Sequence, residues 1–157
     1  GGVGRRFEII GSSDGVTFVD DYAHLPREIS AVMSAAKTSD DSWGRVVAVF
    51  QPNRYNRMAV MSDEYAMAFV DADVVVITDI YASGTQKIEG VTGHLVVDAV
   101  TRAQVNSQVH WHEERTSLAQ FVNRILRPGD VCISMGCGDI ESLPRELLDV
   151  RSGVTRS

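Results

Sequence analysis

Short runs of consecutive apolar residues, separated by longer amphipathic stretches, constrain this fold more than any other feature of the sequence. The clearest run is Val46–Phe50, and two others are Val74–Ile77 and Val131–Met135. Each run is too short for a helix and too uniformly apolar for a strand with one wetted face. Such runs predict strands that are buried on both faces, as the strands of parallel sheets are.

Helical patterns lie between and after these strands. Apolar residues recur at i, i+3, i+4 and i+7 after Pro26, a residue that suits the first turn of a helix. Similar patterns occur at 58–69, 95–100 and 118–125, and in a last helix that is expected to end near Val150. The tail over 151–157 is expected to be loose.

The start of the chain predicts a hairpin. Two strand-forming stretches, 6–10 and 16–19, are joined by a five-residue connection that contains glycine, 11–15. Together with the alternating strands and helices, this predicts an α/β fold over residues 1–157. We expect three αβα layers around a mostly parallel sheet of about six strands, with one antiparallel strand near the N-terminus.

Composition limits what the chain can bind. The sequence has 15 Lys and Arg against 21 Asp and Glu, a net charge of −6, so nucleic acid is not an expected partner. No apolar window approaches the roughly 20 residues of a membrane span. Cys132 and Cys137 form no C-x-x-C pair, and we expect two free thiols in a reducing cytoplasm.

A polar cluster follows the second predicted strand and consists of Asp20, Asp21, Tyr22 and His24. Open α/β sheets bind ligands at the carboxyl ends of their strands. A carboxylate there can hold a ribose hydroxyl, and an imidazole can donate to a phosphate or a carboxylate. The alternative is that the aspartates only cap the next helix.

Two arginines, Arg54 and Arg57, follow the run Val46–Phe50. Their guanidinium groups can clamp a carboxylate or a phosphate with paired hydrogen bonds. Cationic side chains at the start of a helix interact unfavourably with its dipole, so their presence there favours a functional role for the two arginines. Solvated surface arginines are the alternative.

Three other patterns are weaker. The turn Gly136–Gly138 follows a strand, as phosphate-binding turns do, but lacks the third glycine of the dinucleotide fingerprint, so a plain tight turn is the alternative. His110 and His112 lie on one face of a short predicted strand, but without a third ligand we expect no metal site. The sequence contains no P-loop motif G-x-x-x-x-G-K-[ST].

Five motifs occur in a fixed order along the chain. They are Arg5–Phe7, Asp20–Pro26, Phe50–Arg57, Thr78–Gly84 and Gly136–Ile140. As a set they resemble the C-terminal domain of the Mur ligases. The Q-P-x-R-Y-x-R stretch is most similar to the branch that adds L-alanine to UDP-N-acetylmuramate in bacterial peptidoglycan synthesis. A related branch, which attaches a preformed peptide to UDP-N-acetylmuramate, is the runner-up.

The resemblance implies a Rossmann-like domain within a three-domain cytoplasmic enzyme. It implies that the central domain, absent from this sequence, holds most of the ATP and Mg²⁺, and that another domain holds the UDP-sugar. The family activates a carboxylate as an acyl phosphate, which the amine of the amino acid then attacks. We therefore expect this chain to be inactive in isolation.

The resemblance also implies roles on the nucleotide side of the site. By matching position, Arg6 and Asp21 contact ATP, with Asp21 at the ribose and Arg6 nearer the phosphates. Tyr22 and His24 face the nucleotide and the reacting centre, where they are the candidate catalytic residues.

On the amino-acid side, the resemblance implies that Arg54 and Arg57 hold the carboxylate of L-alanine, together with Tyr22. The sequence departs from the family at Leu25 and Asn53, where histidine is common, which argues against a mechanism that needs two histidines. A different class also remains open: a non-catalytic module that binds a nucleotide or an anion.

Overall fold

A single six-stranded sheet forms the centre of the computed structural model, which describes residues 5–39, 43–104 and 107–153. Its strands are β1 (Glu8–Ser13), β2 (Val16–Asp21), β3 (Arg45–Phe50), β4 (Val74–Ile77), β5 (Gln108–Trp111) and β6 (Asp130–Met135). Their order in the sheet is β1-β2-β6-β3-β4-β5. Only the β1–β2 pair is antiparallel. The predicted mixed sheet is therefore confirmed.

Helices cover both faces of this sheet. They are α1 (Pro26–Lys37), α2 (Tyr55–Met61), α3 (His94–Ala103), α4 (Leu118–Ile125) and α5 (Leu143–Ser152). The apolar side chains of α1, α2 and α3 share one core with alternate residues of the strands, and those of α4 and α5 share a second core on the other face. This gives the expected three αβα layers. In the described parts of the chain, no helix has the length and apolar character needed to cross a membrane.

The hairpin differs from its prediction. The strands β1 and β2 are longer than expected, and only Asp14 and Gly15 connect them. Both residues have positive φ, 50° and 82°, which is the geometry of a two-residue hairpin turn that matches strand twist. The register shifts between Ile9 and Gly11, so a bulge absorbs one residue.

The second predicted helix is interrupted. A 3₁₀ turn at Ser62–Tyr65 follows α2, and the Ser62 hydroxyl donates to the carbonyl of Met58, a hydrogen bond that bends helices.

At the C-terminal end of the chain, α5 includes residues 151 and 152, whereas a loose tail was expected from residue 151. Arg151 donates to Asn123 Oδ1 at 2.8 Å and to the carbonyl of Ser13 at 3.2 Å. Residues 154–157 lie outside the described residues.

The parallel strands all end at one edge of the sheet. In register, Asp21 and Phe50 both pair with Met135, and Phe50 also pairs with Ile77. The loops that follow β2, β6, β3 and β4 therefore begin side by side. Four of the five motifs named above lie at this carboxyl edge.

Candidate functional site

The turn after β2 is fixed by the carboxylate of Asp21. One oxygen accepts the backbone N–H of Phe7 at 2.7 Å, and the other accepts the N–H of Ala23 at 2.8 Å. The residue is only 8% exposed. Each carboxylate oxygen has two acceptor positions, so a hydroxyl group can still donate to Asp21.

The neighbouring Asp20 makes a different set of contacts. Arg5 Nε donates to Asp20 Oδ2 at 2.8 Å, and Arg5 Nη2 donates to Oδ1 at 3.2 Å. Burial raises the pKa of the Asp20 carboxyl, and the hydrogen bond and charge of Arg5 oppose that rise. Asp20 is thus a partner of Arg5 rather than a free carboxylate.

Tyr22 is exposed on the same turn, and His24 is half-buried beside it. Their rings meet edge to face with centroids 5.2 Å apart, and His24 Nδ1 is 3.1 Å from the carbonyl of Tyr22. Glu28, in the first turn of α1, accepts the N–H groups of His24 and Leu25. Partial burial disfavours the charged form of Glu28, but these two bonds, together with the nearby positive charges of His24 and Arg6, lower the pKa of the carboxyl below its usual range. Leu25 itself carries no side-chain group that can replace a second imidazole.

Arg54 and Arg57 follow β3 at the same edge. Arg54 has a φ of 68°, which is uncommon for a residue with a side chain, and its N–H donates to the carbonyl of Tyr81 at 2.9 Å. Arg57 is half-buried on the first turn of α2, and its Nη1 lies 3.4 Å from Oδ1 of the buried Asn53. Backbone strain such as the positive φ of Arg54 is concentrated at functional sites.

A buried tyrosine joins the two halves of the site. The hydroxyl of Tyr65 donates to the carbonyl of His24 at 2.6 Å. Burial raises the pKa of the Tyr65 phenol, and the nearby positive charge of Arg57 opposes that rise. The turn after β2 and the helix that carries Arg57 therefore meet at Tyr65.

A cavity of about 380 Å³ opens beside this turn. Its polar lining comes from Arg6, Asp21, Tyr22 and Glu28, and its apolar lining from Phe7, Ala23, Ala31, Val32 and Ala35. Such a volume falls within the range of small-molecule sites. Three of the four residues assigned to the nucleotide side thus share one cavity, while Arg54 and Arg57 do not line it.

The glycine turn after β6 packs tightly rather than lying open. A Cβ atom on Gly138 would lie 2.5 Å from the ring of Tyr81 and 2.6 Å from Gln51 Oε1. Gly136 has a φ of 143°, and a Cβ there would lie 2.9 Å from the carbonyl oxygen of Gln51. These contacts favour the tight-turn interpretation over a phosphate cradle.

His110, in β5, and His112, just after it, pack against the second core, which lies beneath α4 and α5. The rings of His110 and His112 both pack against Phe121, with centroids 5.7 and 4.6 Å away, and His112 Nε2 lies 2.7 Å from Ser117 Oγ. Among the residues described, no group of three or more His, Cys, Asp or Glu side chains is placed to hold a metal ion. Cys132 and Cys137 are both free thiols.

Sequence reasoning missed two residues of this site, Arg5 and Tyr65. Arg5 stands beside the more exposed Arg6, and the residue pattern gives no sign of which arginine is buried. Tyr65 follows an apolar helical pattern, so its position indicated a core residue and its hydroxyl carried no separate signal.

Comparisons with known proteins agree with this architecture. The family model described as Mur ligase, glutamate ligase domain, matches residues 5–138. A UDP-N-acetylmuramate–L-alanine ligase from Gloeothece citriformis is 44% identical over 149 residues, which are 94% of this chain and 30% of the relative. The chain thus spans about a third of the length of the curated relatives that it matches.

Solved structures share the fold. The UDP-N-acetylmuramate–alanine ligase of Thermotoga maritima aligns with a TM-score of 0.71 and 24% identity, covering 95% of this chain and 30% of that one. A murein peptide ligase from Psychrobacter arcticus aligns with a TM-score of 0.75 and 19% identity, covering 98% of this chain and 31% of that one. With the family match over most of its length, the chain belongs to the Mur ligase C-terminal domain family.

Proposed function

We propose that this chain is the C-terminal domain of an ATP-dependent ligase that joins L-alanine to UDP-N-acetylmuramate in bacterial peptidoglycan synthesis. In the proposed reaction, the muramoyl carboxylate receives a phosphoryl group from ATP, and the amine of L-alanine attacks the resulting acyl phosphate and expels phosphate. The whole enzyme is proposed to act in the cytoplasm.

The observation that carries this proposal is a hydrogen bond between two polar segments: Tyr65, in the 3₁₀ turn directly after the helix that carries Arg57, donates to the carbonyl of His24. The turn after β2 that contains His24 also carries Tyr22. An acid–amine ligation needs the amino acid held next to the activated carboxylate, because most of the catalysis comes from positioning and charge stabilisation. The 44% identity to an alanine ligase supports L-alanine as the amino acid.

The proposed roles follow the two halves of the site. Arg57, with Arg54, holds the carboxylate of L-alanine. Arg6 and Asp21 contact ATP at the 380 Å³ cavity, whose lining combines a guanidinium, a carboxylate and apolar side chains. That lining suits a ribose and a phosphate beside an apolar ring.

The proposed Mg²⁺ ion is assigned mainly to the central domain. The described residues here offer no cluster of three ligands for it. Within this chain, His24 and Tyr22 face the reacting centre, where an imidazole N–H can donate to a developing negative charge.

The test is Arg57→Ala in the full-length ligase that contains this chain. We expect the KM for L-alanine to rise about tenfold to a hundredfold, because hydrogen bonds to a charged group contribute roughly 1.5 to 3 kcal/mol. The KM for ATP should change much less. Steady-state phosphate release, with each substrate varied in turn, measures both constants.

Arg127→Ala is the matched control, because Arg127 is exposed at the opposite edge of the sheet, just before β6. We expect both constants to stay near the wild-type values in this variant. Equal effects of Arg57→Ala on the two KM values would contradict the assignment. Offering L-alanine and a preformed tripeptide in separate ligation assays distinguishes the proposed enzyme from the peptide-adding branch.

A further inference from the structure

Arg5 joins the ends of two neighbouring strands. Its Nε and Nη2 atoms donate to the two oxygens of Asp20 at the end of β2, and Nη2 also donates to the carbonyl of Gly136, after β6, at 2.8 Å. The side chain of Arg5 is 18% exposed and that of Asp20 is 4% exposed. Such a charge-assisted fork fixes orientation as well as distance.

The same guanidinium lies over an exposed ring of the candidate site. The central carbon of Arg5 is 5.2 Å from the centroid of the Tyr22 ring, within the range of a cation–π contact. The N–H of Tyr22 also donates to the carbonyl of Arg5 at 2.6 Å. Tyr22 is 48% exposed, so contacts of this kind decide where its ring points.

We infer that Arg5 is a positioning residue for the ligase reaction: it holds the Tyr22 ring and the Gly136 turn in their working arrangement at the carboxyl edge. This inference rests on the proposed function, in which Tyr22 faces the nucleotide and the reacting centre. Arg5 itself does not line the cavity; its Nε and Nη2 donate to Asp20 and Gly136, and its Nε lies 3.5 Å from Glu141 Oε2.

A purely structural ion pair is the competing explanation, and the chain contains a matched example of one. At the opposite edge of the sheet, Arg45 Nε and Nη2 donate to the two oxygens of Asp130 at 2.9 and 2.8 Å, and Nη2 donates to the carbonyl of Ile125 at 2.9 Å. The exposures are 20% for Arg45 and 1% for Asp130. The bonding is the same in kind, but Arg45 and Asp130 begin β3 and β6, at the edge of the sheet opposite the proposed site residues.

The experiment compares the two pairs in the full-length ligase. Arg5→Met leaves the Asp20 carboxylate buried without its partner, and we expect a lower Tm. Arg5→Met combined with Asp20→Asn removes that charge, and we expect most of the loss in Tm to be recovered. Arg45→Met, alone and combined with Asp130→Asn, should show the same pattern.

The value of kcat distinguishes a positioning role of Arg5 from a purely structural ion pair. For the Arg5→Met/Asp20→Asn variant, we expect kcat to stay at least about tenfold below wild type even after Tm has recovered. The Arg45→Met/Asp130→Asn variant should keep its kcat within about twofold of wild type. Arg5→Lys keeps the charge but not the fork, and we expect partial recovery of kcat.

A second readout does not depend on ligation. Fluorotyrosine placed at position 22 reports the surroundings of that ring by ¹⁹F NMR. We expect its resonance to shift and broaden in the Arg5→Met/Asp20→Asn variant and to stay unchanged in the Arg45→Met/Asp130→Asn variant.

The inference is overturned if the Arg5→Met/Asp20→Asn variant, once its Tm has recovered, has a wild-type kcat, or if its Tyr22 resonance is unchanged. Failure of the wild-type enzyme to ligate L-alanine contradicts the proposed function instead. In that case the fluorine resonance alone decides whether Arg5 positions Tyr22.

Discussion

Single residues at this site combine a structural and a proposed chemical role. Asp21 accepts two backbone N–H groups and so shapes the turn after β2, yet its oxygens retain further acceptor positions toward the cavity. Arg5 and Arg6 divide such roles between them although they are adjacent in sequence. Arg5 is hydrogen-bonded within the protein, and Arg6 is exposed. Two residues of one type can therefore serve different purposes.

The pH dependence of the unfolding free energy tests how much Glu28 stabilises the turn after β2. Its folded-state pKa is lowered, so the stabilisation from its carboxylate is present above the ordinary pKa of about 4.5 and is lost as the pH falls through the folded value. We expect Glu28→Gln to lower the free energy of unfolding by about 0.5 to 1 kcal/mol at pH 7. The difference from wild type should shrink toward pH 3.

Urea denaturation of the 157-residue chain across this pH range measures the effect. Glu89→Gln is the control, because Glu89 is exposed in a loop, and its unfolding free energy should stay within about 0.5 kcal/mol of wild type at every pH. A deficit for Glu28→Gln that is the same at pH 3 and pH 7 would show that ionisation of Glu28 contributes nothing.

Among the elements, the strand ends do most of the positioning. The loops after β3, β4 and β6 contact one another through Gln51, Tyr81 and Gly138. Gln51 Nε2 donates to Asp139 Oδ1 at 2.8 Å, and the N–H of Ile140 donates back to Gln51 Oε1. The glycine turn is therefore part of a packed junction.

This junction predicts the effect of adding one methyl group. Gly138→Ala should destabilise the fold by about 1 to 3 kcal/mol, because its Cβ would overlap the Tyr81 ring and Gln51 Oε1. Gly44→Ala is the control, since its Cβ would meet its nearest atom at an ordinary 3.6 Å. Urea midpoints compare the two variants. Unchanged stability of Gly138→Ala with loss of ATP binding in the whole ligase would instead favour a phosphate cradle.

At the scale of the whole molecule, the candidate site lies open at the carboxyl edge of the sheet. Arg6 is exposed, Tyr22 is 48% exposed and Tyr81 is 40% exposed at the carboxyl edge. The relatives that the chain matches are about three times as long. We therefore expect chemistry to require the rest of the enzyme.

The corresponding prediction concerns the 157-residue chain alone. Its sequence has no P-loop motif, so we expect no ATP hydrolysis above the rate of a buffer blank. A coupled assay for phosphate release at millimolar ATP and Mg²⁺ measures this, with the full-length ligase as the positive control. Measurable turnover by the chain itself would show that it contains a phosphate site of its own.

Much of this architecture was predictable from local patterns. The apolar runs identified β3, β4 and β6, because strands buried on both faces are apolar without alternation. The break after α2 was not predictable from periodicity, since Met61 and Tyr65 continue the apolar pattern while Ser62 bends the backbone. The roles assigned to Arg6, Asp21, Tyr22, His24, Arg54 and Arg57 stay predictions that the proposed experiments test.

The sequence by itself determined the elements, their order and the loops that carry polar groups, because these depend on neighbours along the chain. Only the tertiary structure decided which loops meet. Since β6 lies beside β2, Gly136 lies beside Arg5, 131 residues away. Helix packing on the sheet brings Tyr65 to His24, 41 residues away. Strand order and helix packing set these hydrogen bonds, and no local pattern encodes either.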